Sequence, residues 1–103
     1  MRGLLSLTEE RVAAPAPLFD TEGPWRVHPQ VALRPESFGA LAYHYGTRRL
    51  LFLKSPLLVE LVSALDRYPS ASAALAAIVP VAQRPRYCRA LARLAASEVI
   101  DAR

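Results

Sequence analysis

In the middle of the chain, hydrophobic and polar positions follow short strand-like runs that are separated by turn residues. The first predicted strand is Val31–Arg34, and Pro35 marks its end or an edge position because proline lacks a backbone donor. The second covers Leu41–Tyr45 and the third Leu50–Leu53. The turn between them is Gly46–Arg49, whose glycine can adopt a positive φ. These runs predict a three-stranded antiparallel sheet.

The alternation of the second strand predicts which of its faces meets the core. Successive side chains of a strand point to opposite faces, so Leu41, Tyr43 and Tyr45 share one face. Because these residues are large, we expect their face to be the buried one. His44 would then point the other way, toward the surface or a groove. The third strand is apolar on both faces, so helices should cover at least one side of it.

After the third strand the hydrophobic spacing changes from two residues to about 3.6, which predicts helices. Ser55-Pro56 begins the first helix, because serine is a preferred N-cap and proline is favoured at the first helical position. Ser70 caps a second helix, Ala71–Val79, which is almost all alanine. A third helix covers residues 85–97. The order β-β-β-α-α-α predicts an α+β fold.

The third helix carries two stripes, one apolar and one basic. The apolar stripe consists of Tyr87, Leu91, Leu94 and Ala95. The basic stripe beside it consists of Arg86, Arg89 and Arg93, which lie within about 60° of one another at helical spacing. A solvated helix face is one interpretation of the basic stripe. The other is a set of anchors for acidic side chains of a bound peptide.

Length and composition limit the class of protein. With 103 residues and 11.3 kDa the chain is predicted to form one domain, residues 25–103, preceded by a flexible segment, residues 1–24. The net charge is +4, and 12 of the 13 basic residues are arginine, which suits an acidic partner or a solvated surface equally. A single cysteine excludes an internal disulfide, and the apolar runs are too short to span a membrane. We therefore expect a cytoplasmic protein.

The sequence offers no complete set of catalytic residues. It contains no paired carboxylates, no glycine-rich phosphate loop and no Gly-x-Ser-x-Gly motif. His28 and His44 are sixteen residues apart without a nearby cysteine or well-placed carboxylate, which argues against a metal site. Cys88 is expected to pack as a small apolar residue, and Trp25 and Phe38 to fill the core. The prediction is a protein that is not an enzyme.

Several segments closely resemble a known family. They are WRVHPQVALRPE at residues 25–36, FGAL at 38–41, YH at 43–44, GTRRL at 46–50 and FLKS at 52–55. The resemblance continues more loosely through residues 90–92 and 94–97. In these segments the chain resembles the MftB family of mycofactocin biosynthesis chaperones, which belong to the PqqD-like peptide chaperones, or RiPP recognition elements.

The resemblance implies a fold and a function. Such domains are winged-helix-like, with three strands followed by three helices, and they bind the leader of a ribosomally made precursor peptide. For this family the precursor is MftA, and the leader is presented to the radical SAM maturase MftC. The chaperone itself catalyses nothing and carries no cofactor.

The resemblance also implies a site by position in the fold. The leader adds as an extra strand beside the third strand, in the cleft against the third helix. The positions on the strand are Leu50, Leu51, Phe52, Leu53 and Lys54. Those on the helix are Arg86, Tyr87, Arg89, Ala90 and Arg93.

Three alternatives stay open at this point. A DNA-binding winged helix would use the basic charge, although the second helix has no base-reading side chain and the third offers at most Gln83, Arg86 and Arg89. A scaffold could hold the maturase without binding peptide. An exposed strand edge could also pair two copies into a homodimer. The peptide chaperone is the function we expect, without a nucleic acid or membrane partner.

Overall fold

The computed structural model describes residues 19–103. The strands are β1 (Trp25–Val27), β2 (Val31–Glu36), β3 (Gly39–His44), β4 (Arg49–Leu53) and β5 (Ile100–Ala102). The helices are α1 (Pro56–Ala64), α2 (Ala71–Ile78) and α3 (Arg84–Ala96). The prediction of an α+β fold with three antiparallel strands followed by three helices is confirmed, and β1 and β5 form an additional strand pair.

The three-stranded sheet has the order β2-β3-β4, so β3 is its central strand. Directly opposed residues share a face of the sheet, and Ala40 opposes Leu53 while Ala42 opposes Leu51. Ala40, Ala42 and Leu53 are buried, which identifies this face as the one that the helices cover. We call it the inner face and the opposite one the outer face.

The prediction that Tyr43 and Tyr45 lie on the buried face of the second strand was wrong. His44 is buried with the two alanines of β3, whereas Tyr43 and Tyr45 are exposed. Phe38, which was expected to fill the core, is exposed as well. The physical reason is that α1 packs directly on β3, and alanine side chains allow a close approach that tyrosine would prevent. The face of β3 with the small side chains is therefore the buried one, and the face with the large side chains is not.

Serine side chains begin the first two helices, as predicted. The backbone N–H of Leu58 donates to Ser55 Oγ at 3.1 Å, and that of Ala73 donates to Ser70 Oγ at 3.0 Å. Each bond satisfies one of the amides that a helix leaves unpaired in its first turn. Pro56 occupies the start of α1, where its missing N–H costs nothing. The change from β4 to α1 is therefore fixed within two residues.

The turn between β3 and β4 differs from the prediction in its special residue. Arg48, with φ of 64°, is the position in the left-handed region, and Gly46 is not. A Cβ on Gly46 would meet the end of the exposed Gln30 side chain, which can move, and Cε1 of the buried His44 ring at 2.9 Å, so glycine leaves room for that ring. The position of the turn was predicted correctly, but its residue with a positive φ is Arg48 and not Gly46.

The strand pair β1–β5 closes the domain and was not predicted. Trp25 pairs with Ala102 and Val27 with Ile100, and an Arg26–Asp101 ion pair of 3.2 Å lies between them. Strands of three residues are too short to show an alternation, and their partners lie at opposite ends of the domain. Ile100 is nevertheless buried, so this pair is part of the core.

The chain before Trp25 also contacts the fold. The ring of Phe19 lies 4.8 Å from that of Trp25, and the carbonyls of Thr21 and Gly23 accept hydrogen bonds from the start of α2. Residues 1–18 of the predicted flexible segment lie outside the described residues. The division into residues 1–24 and 25–103 stays a prediction. Among the helices of residues 19–103, none is long and apolar enough to cross a membrane.

The apolar stripe of α3 packs into the core as predicted, and one polar group on it is held by a hydrogen bond. Tyr87, Leu91 and Leu94 are buried, Ala95 is half-buried, and Cys88 packs against the same core. The hydroxyls of Tyr87 and Ser55 lie 2.9 Å apart. Ser55 therefore binds both its own helix and α3, and it fixes the distance between α3 and the end of β4.

We expect Ser55→Ala to destabilise the fold by about 2–4 kcal/mol, because it removes the N-cap and leaves the buried Tyr87 hydroxyl without a partner. Tyr87→Phe removes the same contact without leaving an unsatisfied group, so about 1 kcal/mol is expected. Urea denaturation of both variants measures the difference. Adding Tyr87→Phe to Ser55→Ala should cost nothing further, and additive losses would contradict the coupling.

Candidate peptide-binding site

The third strand of the sheet has one unpaired edge. β4 pairs with β3 alone, and within residues 19–103 no strand lies on its other side. A strand edge of this kind presents N–H and C=O groups that an extended chain can bind. α3 follows on the inner-face side of this edge, and we call the space between them the β4–α3 groove.

The main-chain groups of β4 that face the groove can be assigned. A Cβ built on Gly39 would overlap the carbonyl oxygen of Leu53, so this carbonyl points across to β3. Main-chain groups of successive residues alternate between the two sides of an antiparallel strand. The N–H and C=O groups of Leu50 and Phe52 therefore point to the unpaired edge.

The side chains of β4 divide between the two faces of the sheet. Leu51 and Leu53 lie on the inner face, half-buried and buried, where they form the floor next to α3. Leu50 and Phe52 lie on the outer face and are exposed. Lys54 is exposed beyond the strand, with its Nζ 6.0 Å from the centre of the Phe52 ring. Of the strand positions implied by the resemblance, two therefore face α3 and two offer backbone groups to the edge.

α3 presents one flank to the groove. At about 100° per residue, Arg86, Ala90, Arg93 and Ser97 fall on the side of the buried stripe away from β1 and β5. Ala90 and Ser97 are half-buried there, while Arg86 and Arg93 are exposed. Arg89 lies about 160° from both Tyr87 and Leu91, so it points straight away from the core. The basic stripe thus has two members at the groove and one directed into solvent.

Both ends of the groove are defined by contacts between its two sides. At one end, the Ser55–Tyr87 hydrogen bond of 2.9 Å joins the exit of β4 to the first turns of α3. At the other end lies a cavity of about 310 Å³, lined by Thr47, Arg49, Ala96, Ser97 and Glu98. Cations dominate along its length, so the groove suits an extended peptide with apolar and acidic side chains.

The structure also assembles a cluster that the sequence did not reveal. The rings of His28 and His44 lie 4.5 Å apart, and Glu98 Oε1 lies 4.0 Å from His44 Nε2. The expectation that neither histidine has a well-placed carboxylate was wrong, since ligand atoms of all three residues lie within 4.8 Å of one another. Residues so distant in sequence carried no spacing signal that could have predicted the cluster.

Hydrogen bonding in this cluster does not suit a metal ion. His44 Nδ1 accepts the backbone N–H groups of Gly46 at 3.2 Å and Thr47 at 3.1 Å, and His28 Nδ1 accepts that of Gln30 at 3.0 Å. A neutral imidazole whose Nδ1 accepts these bonds carries its hydrogen on Nε2. A metal-bound histidine instead donates from its second nitrogen. The lone pairs of both rings are therefore already used by the backbone.

His44 has a structural role at the foot of the groove. Its side chain is buried, and its Nε2 has no hydrogen-bond partner among the described residues. Glu98, at 4.0 Å, is the nearest carboxylate, and its φ of 64° places it in the left-handed region directly after α3. Through its Nδ1 bonds to Gly46 and Thr47, His44 instead holds the turn that joins β3 to β4.

α2 does not present side chains that could read bases. α2, with the sequence ASAALAAI, exposes Ala76 and Ala77. These side chains have no groups that could hydrogen-bond base edges. Among the described helices, a DNA-binding function would therefore depend on α3, where Arg86 and Arg89 are exposed.

Comparison with known proteins identifies the family of this chain. The model of the peptide chaperone MftB family matches residues 24–101. Peptide chaperone MftB of Mycobacterium ulcerans is 45% identical over 102 residues, which cover 97% of this chain and 94% of the relative. Peptide chaperone MftB of Mycolicibacterium smegmatis is 49% identical over 83 residues, covering 80% and 81%. That of Mycobacterium tuberculosis is 44% identical over 103 residues, covering 97% and 94%.

The comparison with solved structures gave no match. The geometry of the groove therefore rests on this chain alone.

The hydrogen bonds at His28 and His44 predict that zinc does not change the thermal stability of the protein. A site with a Kd of about 1 μM would stabilise the fold by roughly 2.7 kcal/mol at 100 μM metal. We expect the Tm to move by less than about 1 °C instead, because both rings use their lone pairs elsewhere. Differential scanning fluorimetry with and without zinc measures this. A rise of several degrees that is lost in His28→Gln would contradict the assignment of the tautomers.

Proposed function

The chain belongs to the peptide chaperone MftB family, and we propose that it binds the leader of its precursor peptide as a fourth strand of the sheet, in the β4–α3 groove. It is a non-catalytic chaperone of mycofactocin biosynthesis. In the proposal the precursor is MftA, and the bound leader is delivered to the radical SAM maturase MftC. The reaction belongs to the maturase. We expect the delivery to take place in the cytoplasm.

The unpaired edge of β4 is the observation that carries the proposal. Leu50 and Phe52 direct their N–H and C=O groups to this edge, where a leader strand would complete the ladder. Main-chain pairing of this type gives affinity with little dependence on sequence. The side of α3 next to it limits where the leader can lie.

Specificity would come from the side chains that border the groove. Alternate leader residues would point inward, onto the apolar floor of Leu51 and Leu53 and past the small side chain of Ala90. Leucine or isoleucine fits such a floor. Acidic leader residues would bind Arg86 and Arg93, since guanidinium groups pair with carboxylates in two parallel hydrogen bonds.

The remaining implied positions support the groove in other ways. Tyr87 is buried and holds Ser55, so it acts on the leader through the position of α3. Lys54 adds a positive charge where β4 ends. Arg89 points into solvent and would contribute to long-range attraction more than to contact.

Leu50→Pro tests strand addition. The N–H of Leu50 faces the unpaired edge, so proline removes no bond between β3 and β4 but deprives the leader of a donor. We expect the affinity for the MftA leader to fall about tenfold, as the loss of one or two main-chain hydrogen bonds implies. Isothermal titration calorimetry measures it.

Leu50→Ala is the matched control, because it removes the same side chain and keeps the N–H. Its leader affinity should stay within about threefold of the parent chain, and circular dichroism should show both variants folded. Equal affinities for the proline and alanine variants would contradict main-chain pairing at this edge.

Charge reversal on α3 tests the orientation of the basic stripe. Arg86→Glu and Arg93→Glu should each weaken leader binding roughly five- to tenfold, since a partly exposed ion pair contributes about 1 kcal/mol or less and reversal adds repulsion. Arg89→Glu changes the net charge equally and should have a smaller effect. Titrations at a fixed salt concentration compare the three. A larger loss for Arg89→Glu than for the other two would contradict the proposed flank.

A further inference from the structure

The outer face of the three-stranded sheet is apolar and uncovered. Leu50 and Phe52 of β4 are 53% and 57% exposed there, Tyr43 of β3 is 40% exposed, and Phe38 in the preceding turn is 39% exposed. Within residues 19–103 no element packs on this face, since all three helices lie on the other. Soluble domains rarely leave several large apolar side chains together in water without a use for them.

The register makes these residues one surface. Leu41 lies directly opposite Phe52, and Tyr43 lies directly opposite Leu50, so the four side chains form two adjacent rows across β3 and β4. Phe38 extends the surface, because its ring centre is 5.9 Å from that of Phe52. We call this set, Phe38, Leu41, Tyr43, Leu50 and Phe52, the outer apolar surface.

The border of the outer apolar surface is basic. Arg34 and Lys54 lie on the outer side of the sheet and Arg48 lies in the turn that joins β3 to β4, whereas residues 31–54 contain a single carboxylate, Glu36. Glu36 is already engaged, since its Oε2 lies 3.1 Å from Arg34 Nε. Two copies placed face to face would oppose like charges, which disfavours a second copy of this chain as the occupant. An apolar patch bordered by carboxylates is the complementary surface.

We propose that the outer apolar surface is the docking site for the modifying enzyme, which binds there through an apolar patch bordered by acidic residues. This inference rests on the proposed function, because it identifies the enzyme with the maturase that receives the leader. The leader and the enzyme then use different sides of β4: the leader takes its edge, and the enzyme takes its outer face.

Strand addition couples the two binding events. A leader paired with β4 widens the sheet, and every second leader side chain points to the outer face beside Leu50 and Phe52. The enzyme therefore meets a larger surface on the loaded chaperone than on the empty one. By linkage, the leader raises the affinity for the enzyme by the same factor as the enzyme raises the affinity for the leader.

Tyr43→Glu and Phe38→Glu test the docking site, and Val81→Glu is the matched control. Val81 is also a large apolar residue in water, 72% exposed, but it lies outside the sheet before α3. Biolayer interferometry measures the binding of purified MftC to each folded variant, with and without saturating MftA leader. Calorimetry measures leader binding alone.

We expect both sheet variants to weaken maturase binding at least tenfold while leader affinity stays within twofold, and Val81→Glu to change neither. Undiminished maturase binding by folded Tyr43→Glu and Phe38→Glu would overturn the proposal. So would a parent dimer that both variants dissociate while maturase affinity is unchanged, since the surface would then belong to a second copy. A parent chain that binds maturase through this face but no leader would refute the proposed function and leave the docking site standing.

Discussion

The unpaired edge of β4 determines where an extended peptide could pair with this sheet. Main-chain groups need hydrogen-bond partners, and those of β4 that face away from β3 have none within the sheet. In water such an edge is tolerated, and beside a partner peptide it becomes a template. α3 lies on the inner-face side of this edge, with Tyr87 bonded to Ser55 at the end of β4.

Close packing on the inner face brings the helices against the sheet. Alanine at residues 40 and 42 brings α1 onto β3, and the Ser55–Tyr87 hydrogen bond of 2.9 Å brings α3 to the end of β4. The large apolar side chains on the opposite face of β3 and β4, those of Leu41, Tyr43, Leu50 and Phe52, lie outside this packed layer. One arrangement of small and large side chains therefore produces two separate surfaces, a groove and an apolar face.

Local signals predicted most of the fold, and non-local contacts account for what was missed. Features that are encoded within one short segment were predicted correctly. They are the helix starts at Ser55-Pro56 and Ser70 and the apolar stripe of α3. The prediction of the buried face of β3 was wrong. The large side chain of Tyr43 suggested that its face was buried, whereas the close approach of α1 requires the small alanine side chains of the other face. The β1–β5 pair and the His28–His44–Glu98 cluster join distant parts of the chain, which periodicity cannot reveal. The site positions came from resemblance alone, and the structure distinguishes them by place: Leu51 lies on the inner face, Leu50 on the outer face, and Arg89 points away from the core.

Residue-resolved amide hydrogen exchange of the chain with and without the MftA leader tests whether the leader pairs with the edge of β4. The amides of Leu50 and Phe52 face the unpaired edge, so the account predicts rapid exchange in the free chain and slowing of about a hundredfold or more at saturation, as expected when an open amide enters a ladder. The amide of Leu51 already faces β3 and should be protected in both states. Leader binding that leaves the exchange of Leu50 and Phe52 unchanged would contradict the account.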